Sequence, residues 1–200
     1  VHLLRARWNT QGEVAWKRVS QNRKAFYLAL IDWFVSHDEL QFRCLVADKD
    51  SLQHDIYSGG DAELGFYKLY YQLLVHWLTP ECSYRLYLDW QQNRQKDRFS
   101  ELQRILTLKL SAQLRILSLE PAESRELDLM QLTDLLAGAV GYVWNNRDHA
   151  EGASEMKIEL VKHLSARLGW ADLLYSTSPG EHKFNIFGFP TPHYRPPEAF

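Results

Sequence analysis

Asp134 has the setting that most suggests chemistry, because it is an acidic side chain inside a long apolar stretch. That stretch, residues 127–146 (LDLMQLTDLLAGAVGYVWNN), has the periodicity of a helix. Aspartate is unfavourable in a helix interior and costly to bury without a partner. At about 100° per residue, one face of the helix carries Leu127, Gln131, Asp134, Gly138, Gly141 and Asn145. Because two glycines on that face allow another backbone to approach closely, we expect the carboxylate to point into the fold.

A second carboxylate, Asp89, ends the strand-like segment 84–90 (YRLYLDW). Alternation along this segment predicts one face of Tyr84, Leu86 and Leu88, and an opposite face of Arg85, Tyr87 and Asp89. Ligands of α/β sheets bind at the carboxyl ends of strands. One acid from a strand end and one from a helix therefore indicate a divalent-metal site.

Both carboxylates also have structural interpretations. Asp89 could cap the loop that follows its strand. Asp134 could pair with a neighbouring arginine, or be held by Gln131 and Thr133. The sequence leaves these alternatives open.

Other catalytic motifs are missing from the sequence. The eight histidines lack HxxxH and HExxH spacing, which argues against a zinc site. No GxGxxG or GxxxxGK[ST] motif supports a nucleotide phosphate cradle, and no GxSxG elbow is present. The two cysteines, Cys44 and Cys82, form no CxxC pair and no disulfide framework.

The elements that must position these acids alternate along the chain. Apolar periodicity predicts helices over 21–38, 62–78, 98–112, 127–146 and 154–169. Strands are predicted over 2–8, 41–48, 83–90 and 114–120, with a short strand or docked extended segment at 183–189. Ser20 is a suitable N-cap for the first helix, and Gly169 a suitable end for the last. The order favours an α/β fold with a largely parallel sheet.

Composition places the chain among globular proteins. Its 200 residues, 46% hydrophobic, fit one domain, with a Pro- and Gly-rich tail from about residue 176. We find no signal peptide and no apolar run of the roughly 18 residues that a membrane span needs. Together with the two cysteines, this favours the cytoplasm and no membrane partner.

The net charge of −2 conceals an uneven distribution. Residues 1–24 carry six Lys or Arg and one Glu, and residues 85–115 carry seven Lys or Arg and three acids. Residues 116–200 instead carry seven Lys or Arg and twelve acids. The two basic segments could line a groove for a polyanion, or they could be solvated helix faces.

Four blocks together resemble a known family. They are GEVAWKRVS (12–20), LGFYKLYYQLL (64–74), YLDWQQNRQKDR (87–98) and QLTDLLAGAVGYVWN (131–145). In this order they resemble the bacterial domain of unknown function 3800 family, and the last block is the most specific. The resemblance implies a ribonuclease H-like fold, with a mixed sheet flanked by helices, and a metal-dependent nuclease or related phosphoester-cleaving activity.

The chain departs from that family in two places. The family begins with an Asp-Glu-Ser block on its first strand, and this chain contains no such block. Ala15 also stands where the family usually has Lys. Because the chain opens on Val1, we expect its first strand or strands to be missing. By the family's order, Glu13, Asp89 and Asp134 correspond to the second, third and fourth acids.

The resemblance implies a two-metal phosphodiesterase. Glu13, Asp89 and Asp134, with an upstream Asp, would hold two Mg²⁺ or Mn²⁺ ions, which prefer carboxylate oxygens. One ion would activate water and the other would stabilise the leaving oxygen. Plausible phosphate contacts are Lys17, Arg94, Lys96 and Arg98, although Asp97 and Arg98 could simply start a helix.

Two alternatives have different chemistry. The domain could be a catalytically inactive binding or assembly module of a bacterial defence or mobile-element system, which the absent first Asp favours. It could also be a metal-dependent enzyme that acts on a small phosphorylated substrate. The partner expected first is nucleic acid, either DNA or RNA, and a protein partner is the second expectation.

Overall fold

The computed structural model describes most of the chain. It covers residues 2–10, 12–47, 62–75, 77–89, 98–110, 114–123, 125 and 127–188. The described residues form a mixed α/β structure that divides into two compact units. The first unit comprises Val1–Val46 and Leu127–Phe200, and the second comprises Ala47–Glu126. That both belong to one ribonuclease H-like domain stays a prediction.

The first unit holds most of the helices. Its elements are α1 (His2–Arg7), α2 (Lys24–Ser36), β1 (Phe42–Val46), α5 (Asp128–Trp144), α6 (Glu155–Leu168) and β4 (Phe184–Gly188). Two short 3₁₀ turns, Trp16–Arg18 and Gln21–Arg23, lie between α1 and α2. β1 and β4 pair in parallel, with Phe42 opposite Phe184.

The core of the first unit is built from the apolar stripes of its helices and the two strands. It is lined by fully buried side chains that include Phe26, Tyr27, Leu30, Leu135, Leu160, Leu164, Phe184 and Ile186. α5 buries a stripe along its whole length, since Leu132, Leu135, Leu136, Ala139, Val140 and Val143 are all buried. This helix is therefore held firmly where it carries Asp134.

The second unit is a smaller α/β arrangement. It contains α3 (Ala62–Val75), β2 (Ser83–Asp89), α4 (Arg98–Leu110) and β3 (Arg115–Ala122). β2 and β3 pair in parallel, with a register shift between Tyr84 and Arg85. Its core comprises Leu88, Leu102, Leu106, Leu110, Leu114 and Leu119. The predicted alternation of β2 is confirmed, because Leu88 is buried and Asp89 is exposed.

Most of the predicted helices and strands are confirmed, and two local predictions are wrong. Helices and strands lie where predicted to within about three residues, and Gly169 ends α6 in the left-handed conformation at φ 76°. Segment 2–8, however, contains the helix α1 rather than a strand, because its leucines, alanine and arginines favour helix. Ser20 makes no side-chain cap and precedes a 3₁₀ turn instead of the helix itself.

Candidate functional site

Segment 12–16 is anchored to the first turns of α5 by a buried glutamine. Gln131, 3% exposed, accepts hydrogen bonds at Oε1 from the backbone N–H of Val14 at 2.6 Å and from Nη2 of Arg5 at 2.7 Å. Arg5 also donates to the backbone oxygen of Gly12 at 2.6 Å and forms a 3.0 Å ion pair with Asp128. One arginine from α1 therefore fastens this segment to the start of α5.

Asp134 continues this anchoring one turn along α5. Its Oδ2 accepts a 2.8 Å hydrogen bond from the backbone N–H of Trp16, the first residue of a 3₁₀ turn. The carboxylate thus satisfies an N–H group that a turn's own backbone leaves unpaired. Among the described residues, Oδ1 of Asp134 has no hydrogen-bond or ion-pair partner.

The expectation that Asp134 points into the fold is wrong, because the residue is exposed. A helical wheel identifies which residues share a face but not what covers that face. The buried stripe of α5 passes on either side of Asp134, through Leu132 and Leu135. Segment 12–16 covers Gln131 and donates one backbone N–H to Asp134, whose carboxylate remains at the surface.

The glycines were predicted to let another backbone approach, but a side chain approaches Gly138 and nothing approaches Gly141. The Trp16 side chain lies against Gly138 so closely that a Cβ atom there would overlap Cγ of the indole. A Cβ atom at Gly141 would meet nothing within 4 Å. The Trp16 ring also meets the Tyr142 ring edge-on, with centroids 5.4 Å apart. The absence of a side chain at Gly138 therefore makes room for the Trp16 ring on this helix.

Glu13 lies on the same anchored segment. Its side chain is 17% exposed and its Oε2 pairs with Nη2 of Arg18 at 3.2 Å. The adjoining Val14 and Ala15 are buried, at 1% and 4% exposed. Because Ala15 is buried, a small apolar residue fits at this position. A lysine side chain here would have to extend out of the core. The structure thus brings the segment that carries Glu13 onto the helix that carries Asp134.

The other predicted site residues are placed differently. Asp89 ends β2 in the second unit, where it is exposed and lies opposite Ala122 of β3. Lys17 is exposed in the first 3₁₀ turn. Arg98 is the first residue of α4, in agreement with the alternative that it simply starts a helix. The structure does not describe its side chain. Arg94 and Lys96 also lie outside them.

Two residues of this neighbourhood were missed by sequence reasoning. Arg5 was missed because its partners Asp128 and Gln131 are more than 120 residues away in the chain. Lys157 lies on α6, with Nζ 5.2 Å from the Trp16 ring centroid and 5.8 Å from that of Tyr142. The sequence shows only that Lys157 lies on an amphipathic helix. It does not show which aromatic rings the side chain contacts.

The donor chemistry of Glu13 and Asp134 fits a hard divalent cation. Each carboxylate uses one oxygen in a described contact, and Mg²⁺ is commonly held by one or two carboxylates with water and substrate phosphate completing its shell. Within the described part of the chain, no cluster of three or more His, Cys, Asp or Glu side chains could hold a metal ion. A metal at this site therefore remains a proposal.

No protein-family model, no curated protein and no solved structure matches this chain. No helix within the described ranges is both long enough and apolar enough to cross a membrane.

Proposed function

We propose that the chain is a divalent-metal-dependent phosphodiesterase acting on nucleic acid, with a ribonuclease H-like arrangement. The observation that carries the proposal is the contact between the segment that holds Glu13 and the helix that holds Asp134. Gln131, Asp134 and Gly138 each make a specific contact with residues 14–16. Blocks that are far apart in sequence thus build one surface around Asp134.

The chain's own residues would prepare this surface for a metal. The Trp16 N–H fixes one oxygen of Asp134, which leaves Oδ1 as the donor atom. Arg18 similarly engages Oε2 of Glu13 and leaves Oε1. Bound Mg²⁺ or Mn²⁺ would supply activation of water and stabilisation of charge on the leaving oxygen. Lys17, exposed beside Trp16, would contact the phosphate backbone.

The first experiment compares Asp134→Asn with Asp172→Asn. Asn keeps an oxygen that can accept the Trp16 N–H, so the fold should survive while the negative donor is lost. Asp172 is a matched control, because it is also exposed and accepts a backbone N–H, that of Leu174, at 2.7 Å. Labelled single- and double-stranded DNA and RNA are incubated with each protein in Mg²⁺, Mn²⁺ or EDTA.

We expect metal-dependent cleavage by the wild type and by D172N, and at least about a 100-fold loss in D134N, since even residues that only support metal ligands contribute 10- to 100-fold. Mg²⁺ or Mn²⁺ should also raise the melting temperature of the wild type more than that of D134N. Undiminished cleavage by D134N would refute the proposal.

Glu13 needs a separate pair of variants, because its ion pair confounds a simple substitution. Glu13→Gln removes the candidate ligand and the ion pair together, whereas Arg18→Gln removes only the ion pair. A metal role predicts that E13Q loses activity and that R18Q keeps most of it. Equal losses would assign Glu13 a structural role. Asp89→Asn tests the role predicted for the strand-end acid in the same assay.

A catalytically inactive binding or assembly module is the second candidate. One observation favours it: both first-unit carboxylates already have protein partners, Arg18 for Glu13 and the Trp16 N–H for Asp134. This candidate predicts nucleic-acid binding that weakens steeply with salt, without cleavage in any metal. It also predicts that D134N binds as the wild type does.

A further inference from the structure

An ammonium group lies on an aromatic shelf that includes Trp16, the residue whose backbone N–H binds Asp134. The shelf is formed by Trp16 and Tyr142, and Nζ of Lys157 lies 5.2 Å and 5.8 Å from their ring centroids. The shelf is rigid, because Trp16 rests against Gly138 and the Tyr142 hydroxyl accepts the Ser154 N–H at 3.0 Å. These two contacts favour one placement of a lysine side chain that would otherwise be mobile.

Lys157 has no counter-anion among the described residues. Two other lysines of the first unit have oxygen partners: Lys24 pairs with Glu159, and Lys183 donates to three backbone oxygens. The faces of aromatic rings attract a cation but do not neutralise its charge. Lys157 is half-buried, so its charge remains accessible from solvent. Such a positioned and uncompensated cation is suited to an incoming anion.

The position of Lys157 relates it to Asp134 through a single residue. Trp16 donates its backbone N–H to Asp134 and presents its ring to Lys157. Trp16 therefore links the two groups. Its backbone contacts the Asp134 carboxylate, and its ring contacts the Lys157 ammonium. Phosphates recur regularly along a nucleic-acid strand, so one could meet the metal at Asp134 while another phosphate of the same strand meets Lys157.

We infer that Lys157 is a phosphate-binding residue for a single nucleic-acid strand that crosses the Trp16–Tyr142 shelf. This inference rests on the proposed function, which supplies the location of the site. It adds the class of substrate that the site binds. Its substrate class is a single-stranded polyphosphodiester, and the contact is with the backbone rather than with a base. Binding should therefore depend on charge and salt and little on sequence.

The test measures binding rather than cleavage. Fluorescence anisotropy of labelled single-stranded DNA and RNA 12-mers is followed over a salt series, once in EDTA and once in Ca²⁺. The variants are Lys157→Met, which keeps an apolar stem on the shelf, Lys157→Arg, which keeps the charge, and Lys162→Met. Lys162 is the matched control, since it is exposed on the same helix α6.

We expect K157M to bind about threefold to tenfold more weakly at low salt, with a log–log salt slope reduced by about 0.7, the value for one phosphate contact on a single strand. K157R and K162M should bind as the wild type does. Lys157→Gln provides a second neutral variant should K157M fail to fold. Wild-type affinity and slope in a folded neutral variant would overturn the inference, as would no binding by the wild type or an equal loss in K162M.

The two proposals can fail separately. Binding that depends on Lys157, without cleavage in any metal, would support the phosphate contact and refute the nuclease. Metal-dependent cleavage lost in D134N, with binding unchanged in K157M, would support the nuclease and refute the contact.

Discussion

The backbone N–H of Val14 donates a 2.6 Å hydrogen bond to Oε1 of Gln131, and both residues are buried. The residues are 117 positions apart, so this bond fixes a non-local contact between the segment carrying Glu13 and the helix carrying Asp134. A buried backbone N–H requires an acceptor, because leaving it unpaired costs about 1–3 kcal/mol. The glutamine oxygen supplies that acceptor and, through Arg5, a tie to α1.

Replacing Gln131 with Leu should destabilise the first unit by about 2 kcal/mol, because the Val14 N–H and Arg5 lose their shared acceptor. Urea unfolding followed by tryptophan fluorescence measures the change. Thr133→Ala is the control on the same helix: Thr133 is exposed and bonds only within its own helix, to Leu129. That variant should differ by less than about 0.5 kcal/mol. Equal stability of Q131L and T133A would contradict the prediction.

The two glycines of α5 should respond to alanine with opposite signs. Gly138→Ala should destabilise by about 1–3 kcal/mol, because the new methyl group overlaps the Trp16 ring and displaces it. Gly141→Ala should stabilise by up to about 1 kcal/mol, since its Cβ meets nothing and alanine favours helix. Urea unfolding midpoints of both variants test this. A stabilising G138A would show that Trp16 moves without cost.

The helices were predictable because their apolar periodicity is a local property. The first-unit core positions Leu135, Ala139 and Val143 recur at helical spacing, and α5 begins one residue from its predicted start. Segment 2–8 was interpreted wrongly because Leu4, Ala6 and Trp8 alternate with arginines over too short a span to separate strand from helix. The parallel arrangement was predicted, but the pairing of β1 with β4 joins residues 142 apart and leaves no local signal.

The candidate site was predictable only in part, for a related reason. A helical wheel placed Gln131, Asp134 and Gly138 on one face, and all three contact residues 14–16. It could not reveal that Gln131 is covered and Asp134 is exposed, because the covering segment comes from a distant part of the chain. The same limitation concealed Arg5 and Lys157.

The two cysteines should differ strongly in reactivity. Burial raises the pKa of Cys44 from its ordinary value of 9.0 to about 12, so at pH 8 its thiolate is about a thousandfold scarcer than that of an unshifted thiol. Cys82 is exposed. A chromogenic disulfide reagent should therefore modify one thiol per chain rapidly, and Cys82→Ser should abolish that phase. Rapid modification of C82S in the absence of urea would contradict the raised pKa of Cys44.

The Cys44 shift also has a consequence for stability. Because the pKa in the folded state lies above its unfolded value, the protonated thiol favours the fold. Its contribution is fully present below pH 9 and is lost as the pH rises through about 12. Urea midpoints measured over this range should therefore fall less steeply in Cys44→Ala than in the wild type. Identical slopes would show that the thiol does not take part.

Lys183 should stabilise the end of α2. Its Nζ donates to the backbone oxygens of Phe34, His37 and Leu40 at 2.6, 2.7 and 2.7 Å, so one ammonium ties the last turn of α2 to the turn that follows it. Lys183→Met keeps the stem and removes all three donors, which should cost about 2 kcal/mol in urea unfolding. Lys162→Met, exposed on α6, should be neutral. Hydrogen exchange should quicken in the last turn of α2 in K183M alone, and unchanged exchange there would show that the carbonyls are satisfied without the lysine.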